Sequence, residues 1–149
     1  MVVLKDRIRE DMKDAMKKRE EIRLRALKLL INAIKQFEVD QMKEASDENV
    51  YGIVAKEIKK RRESVEAYEK AGRKDLAEEE RKEIEVLTQY LPKQMSEEEI
   101  RAEAMKVIDQ LGARSSKDLG KVMRELMPRL KGRAEGKTVN RIVMELLNN

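Results

Sequence analysis

The spacing of apolar residues constrains this chain more than any other feature. Through most of its length Leu, Ile, Val and Met recur every three or four positions between charged residues. That interval is the period of a helix with one buried face, and it does not fit the two-residue alternation of a strand. With 43% charged and 40% hydrophobic residues, the pattern describes long amphipathic helices rather than disorder. Two Pro and six Gly are too few for the frequent turns of a sheet protein. The expected fold is all-α. With one Phe, three Tyr and no Trp, its core must be aliphatic, and the nine Met read as adaptable filler.

Seven helices can be placed along the chain. The first runs from about Val3 to Arg19 on Leu4, Ile8, Met12 and Ala15/Met16. The second follows closely, with Ile22, Leu27, Leu30/Ile31, Ala33/Ile34 and Phe37 on one broad face. Capping residues at Ser46-Asp47-Glu48-Asn49 introduce a third, which carries Val54, Ile58, Val65 and Tyr68 and stops at Gly72. A fourth covers about Asp75 to Tyr90. Pro92 closes it, because the residue before a proline disfavours helical backbone. Ser96-Glu97-Glu98-Glu99 has the form of a capping box and opens a fifth helix, ended by Gly112. A sixth, capped by Ser115 or Ser116, carries Leu119, Val122/Met123, Leu126/Met127 and Leu130, with Pro128 as a kink or stop. Gly132 and Gly136 bracket a turn before a seventh helix on Val139, Ile142/Val143 and Leu146/Leu147. These breaks suggest two helical bundles, residues 1–92 with about four helices and residues 93–149 with three.

The composition also excludes chemistry. There is no Cys, so no disulfide and no thiolate nucleophile, which suits a cytoplasmic protein. There is no His, which removes the commonest general base near neutral pH and most zinc sites. No catalytic residue, metal ligand or cofactor site is expected. No apolar run approaches the ~18 residues of a membrane span. The start, Met1-Val2-Val3-Leu4-Lys5-Asp6, turns charged at once, unlike a secretory signal.

The net charge of +4 is modest, but its distribution is not even. Residues 112–141 hold nine basic and three acidic side chains. At about 100° per residue, Lys117, Lys121 and Arg124 share one helix face, broadly opposite Leu119, Val122, Met123, Leu126 and Leu130. Arg133, Lys137 and Arg141 repeat the four-residue spacing, if that stretch is helical. Cations so arranged can neutralise the phosphates of a nucleic acid, with salt-sensitive binding. Charge alone fits an ordinary solvated face at least as well. The four aromatic residues, Phe37, Tyr51, Tyr68 and Tyr90, all lie outside this segment. Stacking on unpaired bases is therefore a poor match, and folded RNA read through its phosphates a better one.

Other clusters carry less. Gly132-Arg133-Ala134-Glu135-Gly136-Lys137-Thr138 is one residue short of a phosphate-binding loop and lacks the strand before it. Glu78-Glu79-Glu80 and Glu97-Glu98-Glu99 sit near helix starts, where carboxylates favour the helix dipole. Lys56, Lys59, Lys60, Arg61 and Arg62 read as a solvated face.

Together the residues resemble the GatB/YqeY family. Leu4-Lys5-Asp6-Arg7-Ile8 with Asp11-Met12-Lys13 is similar to YqeY-like starts, and Tyr90-Leu91-Pro92-Lys93-Gln94-Met95-Ser96 matches as well. The most specific stretches are Ser116-Lys117-Asp118-Leu119-Gly120-Lys121-Val122-Met123 and Met127-Pro128-Arg129-Leu130-Lys131-Gly132-Arg133-Ala134-Glu135-Gly136. Arg124 departs from the family, which often has Gly at that position. The resemblance implies two different helical bundles, the second shared with the tail of the B subunit of glutamine-dependent aspartyl/glutamyl-tRNA amidotransferase. In that enzyme the tail engages tRNA while the chemistry happens elsewhere. The implied partner is therefore tRNA or structured RNA, with contacts carried over to Lys121, Arg129, Lys131 and Arg133, while the charge pattern adds Lys117, Arg124, Lys137 and Arg141. The alternatives are an adaptor for amidotransferase or synthetase proteins, or a component of a carbon–nitrogen ligase with glutamine as amide donor.

Overall fold

Helices and short turns make up the chain from Val3 onward, in a computed structural model that describes residues 3–148. Met1 and Val2, which belong to the N-terminal stretch discussed above, lie outside the described residues, as does Asn149. Among the described residues there are seven α-helices and no strand. They fall into two units, Met1–Leu91 and Pro92–Asn149. No helix among them is long and apolar enough to cross a membrane.

The first unit holds α1 (Val3–Lys18), α2 (Glu21–Gln41), α3 (Asp47–Lys70) and α4 (Lys74–Thr88). Leu4, Ile8 and Ala15 of α1 meet Ala26, Leu27, Leu30, Ile31 and Ile34 of α2 in one core, joined by Val50, Val54 and Ile58 of α3 and Ile84 and Leu87 of α4. The chain turns from α1 to α2 without a glycine. Arg19 adopts φ 55°, and the Glu20 N–H donates back to the Ala15 carbonyl at 3.0 Å. Met42, at φ 53°, ends α2 in the same way. Ser46 caps α3 in a reciprocal box with Asn49 rather than with an acid.

The α2–α3 loop is tied to α1 by one carboxylate. Glu38 accepts from Lys5 Nζ at 2.6 Å and from the Ala45 N–H at 2.8 Å. Lys5 also donates to Glu44 at 3.3 Å. The lysine bond, followed by the Ala45 N–H, holds the Glu38 carboxyl below its ordinary pKa of 4.5. The bond to Glu38 likewise raises Lys5 above 10.5, against the opposing effect of burial.

Two expectations need correction here. The basic run in α3 is not one solvated face: Arg61 is only 7% exposed, and Glu57 beside it is buried too. The stripe that begins with Val50 and Val54 continues through Glu57, Ile58 and Arg61 into the packing against α4. There Arg61 lies 3.6 Å from Glu83, which is 3% exposed and also pairs with Arg25 of α2 at 3.3 Å. Arg61 also pairs with Glu57 one turn back at 3.3 Å, a four-residue spacing visible in the sequence, whereas the pairing with Glu83 needs the neighbouring helix. The methionines fill only the edges of the cores, where Met12, Met95, Met123 and Met127 pack partly buried. None of the eight described ones is buried, and Met42 is 91% exposed. Branched side chains with better-defined rotamers fill the interior instead.

The second unit holds α5 (Glu97–Leu111), α6 (Leu119–Leu126) and α7 (Gly136–Leu147). Ser96 and Glu99 form the capping box that the sequence offers, and Gly112 ends α5 at φ 64°. The segment read as one sixth helix has three parts. A 3-10 turn, Ser116–Asp118, leads into α6, and Met127–Leu130 tightens into a second 3-10 turn with Pro128 at its start. Proline has no N–H to give to the α-helical ladder, which accounts for the change at that point. Ile100, Ala104 and Val107 of α5, Val122 and Leu126 of α6, and Val139, Ile142 and Val143 of α7 share a core with Leu130.

Candidate nucleic-acid interface

The eight cations of the basic segment divide into two groups. Lys117, Lys121 and Lys131 are exposed, and among the described residues no ion pair or side-chain hydrogen bond engages them. Lys117 stands in the 3-10 turn and Lys121 on α6. Arg124, also exposed, leans back along α6, where its Nε donates to the Gly120 carbonyl at 3.4 Å. The carboxylates nearest in sequence are already engaged. Asp118 accepts the Arg114 N–H at 2.9 Å, a bond that lowers its pKa below the usual 3.8. Glu125 accepts from Arg129 at 2.9 Å. Lys117, Lys121 and Arg124 thus present positive charge without a direct ion pair, although the ionised Asp118 lies close enough to Lys121 to feel its charge. The buried residues Val122 and Leu126 anchor the opposite side of α6 in the core.

The remaining four have structural partners. Arg129 joins Glu125 to Gln110 of α5, at 2.9 and 3.0 Å. Arg141 on α7 bridges Glu97 at 2.8 Å and Glu145 at 3.0 Å, and Arg101 of α5 reaches the same Glu145 at 3.1 Å. Those bonds push the Arg141 pKa up and hold that of Glu145 below its usual 4.5. Lys137 is exposed on the first turn of α7 and also has a partner. Arg133 is not helical: it sits in the turn before α7. The four-residue rhythm of Arg133, Lys137 and Arg141 is therefore broken. Arg133 instead fastens residues 92–95 to that turn. Its Nε donates to the Lys93 carbonyl at 3.2 Å, and its carbonyl accepts the Met95 N–H at 2.9 Å. Gln94 completes the clasp by donating to Gly132 O at 2.8 Å.

Part of this division is readable in the sequence. Glu125–Arg129 and Arg141–Glu145 are four-residue pairs, and helix geometry brings such pairs together. A count of cations alone overlooks them. The pairings with Gln110 and Glu97 need the fold. Gly132 has φ 77° and Gly136 is the first residue of α7, so this stretch is a helix connection. Among the described residues no group of three or more acidic side chains is arranged to hold a metal. Glu99 serves as a cap, while Glu79 pairs with Arg25 at 3.7 Å.

A cation-bearing, all-helical chain in two units, with a three-helix second unit, is the class that these features define. The model of the YqeY-like protein family matches residues 5–147, and the chain belongs to that family. It is 35% identical over 89 residues to an uncharacterized protein of Schizosaccharomyces pombe, covering 60% of this chain and 72% of that one. It is 32% identical over 107 residues to Altered inheritance of mitochondria protein 41, mitochondrial, of Lachancea thermotolerans, covering 70% of this chain and 57% of the relative. The Kluyveromyces lactis protein of the same name is 32% identical over 108 residues, with 70% and 58% covered. This chain thus spans a little over half the length of those two mitochondrial relatives.

Proposed function

We propose that this protein is a non-catalytic accessory factor that binds tRNA or structured RNA through the basic surface of its second unit. The observation that carries the reading is the set of exposed cations outside any direct ion pair among the described residues, Lys117, Lys121 and Lys131, with Arg124 beside them. Surface Lys and Arg usually pair with carboxylates, and here Glu125 is taken by Arg129 while Asp118 bonds the Arg114 N–H and acts on Lys121 only through space. The family resemblance supplies the second support, through the tRNA-engaging tail of the amidotransferase B subunit. Arg129, Arg133 and Arg141 have structural partners, so their contribution to binding is the smaller one. The cytoplasm is the proposed compartment, on the cysteine-free sequence, and cell fractionation tests it.

Titration of bulk tRNA against the wild type and a Lys117/Lys121/Arg124→Ala variant tests the interface. The variant should bind much more weakly at low salt. Equal affinities would remove this surface from the reading. A pull-down from native lysate with and without nuclease tests the choice of RNA over an adaptor role. Recovery of one protein partner regardless of nuclease would favour an adaptor for amidotransferase or synthetase proteins. Glutamine-dependent amidation of mischarged tRNA on adding this chain to partner subunits would favour a ligase component.

A further inference from the structure

Gly120 is a glycine that the fold does not require. It lies near the start of α6 and is exposed. Its φ is not in the left-handed region, unlike Gly72, Gly112 and Gly132. A Cβ placed on it would meet no atom within 4 Å. Glycine weakens a helix relative to alanine, because the unfolded chain has more freedom to lose. The position therefore forgoes stability in a helix of only eight residues, with no packing reason within the chain.

Its neighbours indicate what the bare position can serve. On α6, residue 120 falls about 40° from residue 124, with residue 121 about 100° away on the other side of 124, and Lys117 stands in the 3-10 turn that leads into the same helix. Gly120 is thus a flat spot beside Lys117, Lys121 and Arg124, and its carbonyl already accepts from Arg124. A large side chain there would stand out from the helix and obstruct a broad anionic partner lying against the backbone between the cations.

We infer that Gly120 is a close-approach point, where the sugar-phosphate backbone of a folded RNA lies directly against α6 while Lys117, Lys121 and Arg124 neutralise its phosphates. This rests on the RNA-binding reading above. It adds that the fit is steric as well as electrostatic. The occupant is argued from charge complementarity, and from the lack of any aromatic residue in this segment that could stack a base.

The test uses the full chain, bulk tRNA as probe, and two substitutions that leave every charge in place. Gly120→Ala should not lower the thermal midpoint, since alanine favours the helix, and should weaken tRNA binding a few-fold. Gly120→Leu should weaken it about tenfold or more, the scale of removing one charged interaction with the RNA backbone. Unchanged tRNA affinity in both variants, with Lys117/Lys121/Arg124→Ala still defective, would overturn the close approach and leave the RNA reading standing. A wild type that does not bind tRNA would overturn both. Circular dichroism of each variant separates impaired binding from impaired folding, and Gly120→Ala, the helix-favouring change, decides if the leucine variant misfolds.

Discussion

At the scale of single residues, the first unit places charges where its periodicity implies apolar contacts. Arg61 and Glu83 are both buried, and Arg61 Nε and Glu83 Oε1 make no hydrogen bond although they face each other at 3.6 Å. Such a pair is costly to break and less costly to replace, because removing one partner strands a buried charge. Glu83→Ala should lower unfolding stability by about 2 kcal/mol, because Arg61 keeps Glu57, and Arg61→Met combined with Glu83→Leu should recover only part of that deficit, because the buried Glu57 then loses Arg61. Urea unfolding of the single and double variants checks both. The Glu38–Lys5 bond predicts a pH dependence. Glu38 has a folded pKa below 4.5, so its stabilisation is present above that value and is lost as pH falls through the depressed one. Lys5, raised above 10.5, stabilises below that pH and loses its contribution as pH rises through the elevated value. Glu38→Gln should flatten the acid limb of thermal midpoint against pH and cost about 2 kcal/mol near neutrality. Of these pairs only Glu57–Arg61, at four-residue spacing, is legible in the sequence. Residues 61 and 83, like 5 and 38, are brought together by helices packing across the fold.

At the scale of elements, the legible signals are those in which one residue type has one physical job. Ser96 with Glu99, Gly112 after α5 and Gly72 after α3 all mark helix ends as the sequence indicates. Ser96→Ala should cost about 1 kcal/mol, because the N–H of Glu99 loses its acceptor at the start of α5. Thermal unfolding measures it. The less legible ends are those turned by ordinary residues. Arg19 and Met42 take up left-handed backbone that nothing in their chemistry favours, and backbone hydrogen bonds close each turn, from the Glu20 N–H to Ala15 O and from the Lys43 N–H to Glu38 O. The basic segment shows the same limit. Its apolar spacing extends from Leu119 to Leu130, yet the backbone changes between 3-10 and α-helical winding on each side of α6. Side-chain periodicity does not separate these two windings over so few residues. Lys117, read as part of the helix, consequently stands just before α6 rather than on it.

At the scale of the whole molecule, the chain builds two separate hydrophobic cores, one in each unit. The second core is aliphatic and small, and the basic surface depends on it through Val122 and Leu126, which fix the buried side of α6. Ile142→Ala, at a fully buried site on α7, should cost about 2–5 kcal/mol of local stability, read as faster hydrogen exchange across α5–α7. The proposed function assigns RNA binding to the cations around α6 that lack direct ion pairs, and to the paired arginines mainly the holding together of the unit. The most direct test is the salt dependence of tRNA affinity for three proteins. These are the wild type, Lys117/Lys121/Arg124→Ala, and Arg129→Ala combined with Arg141→Ala. Removing one cation that neutralises a phosphate should reduce the slope of log affinity against log salt by about one. The account predicts a slope shallower by roughly two to three for the first variant and nearly unchanged for the second. Equal slopes for the first variant and the wild type, or the larger reduction in the arginine variant, would contradict it.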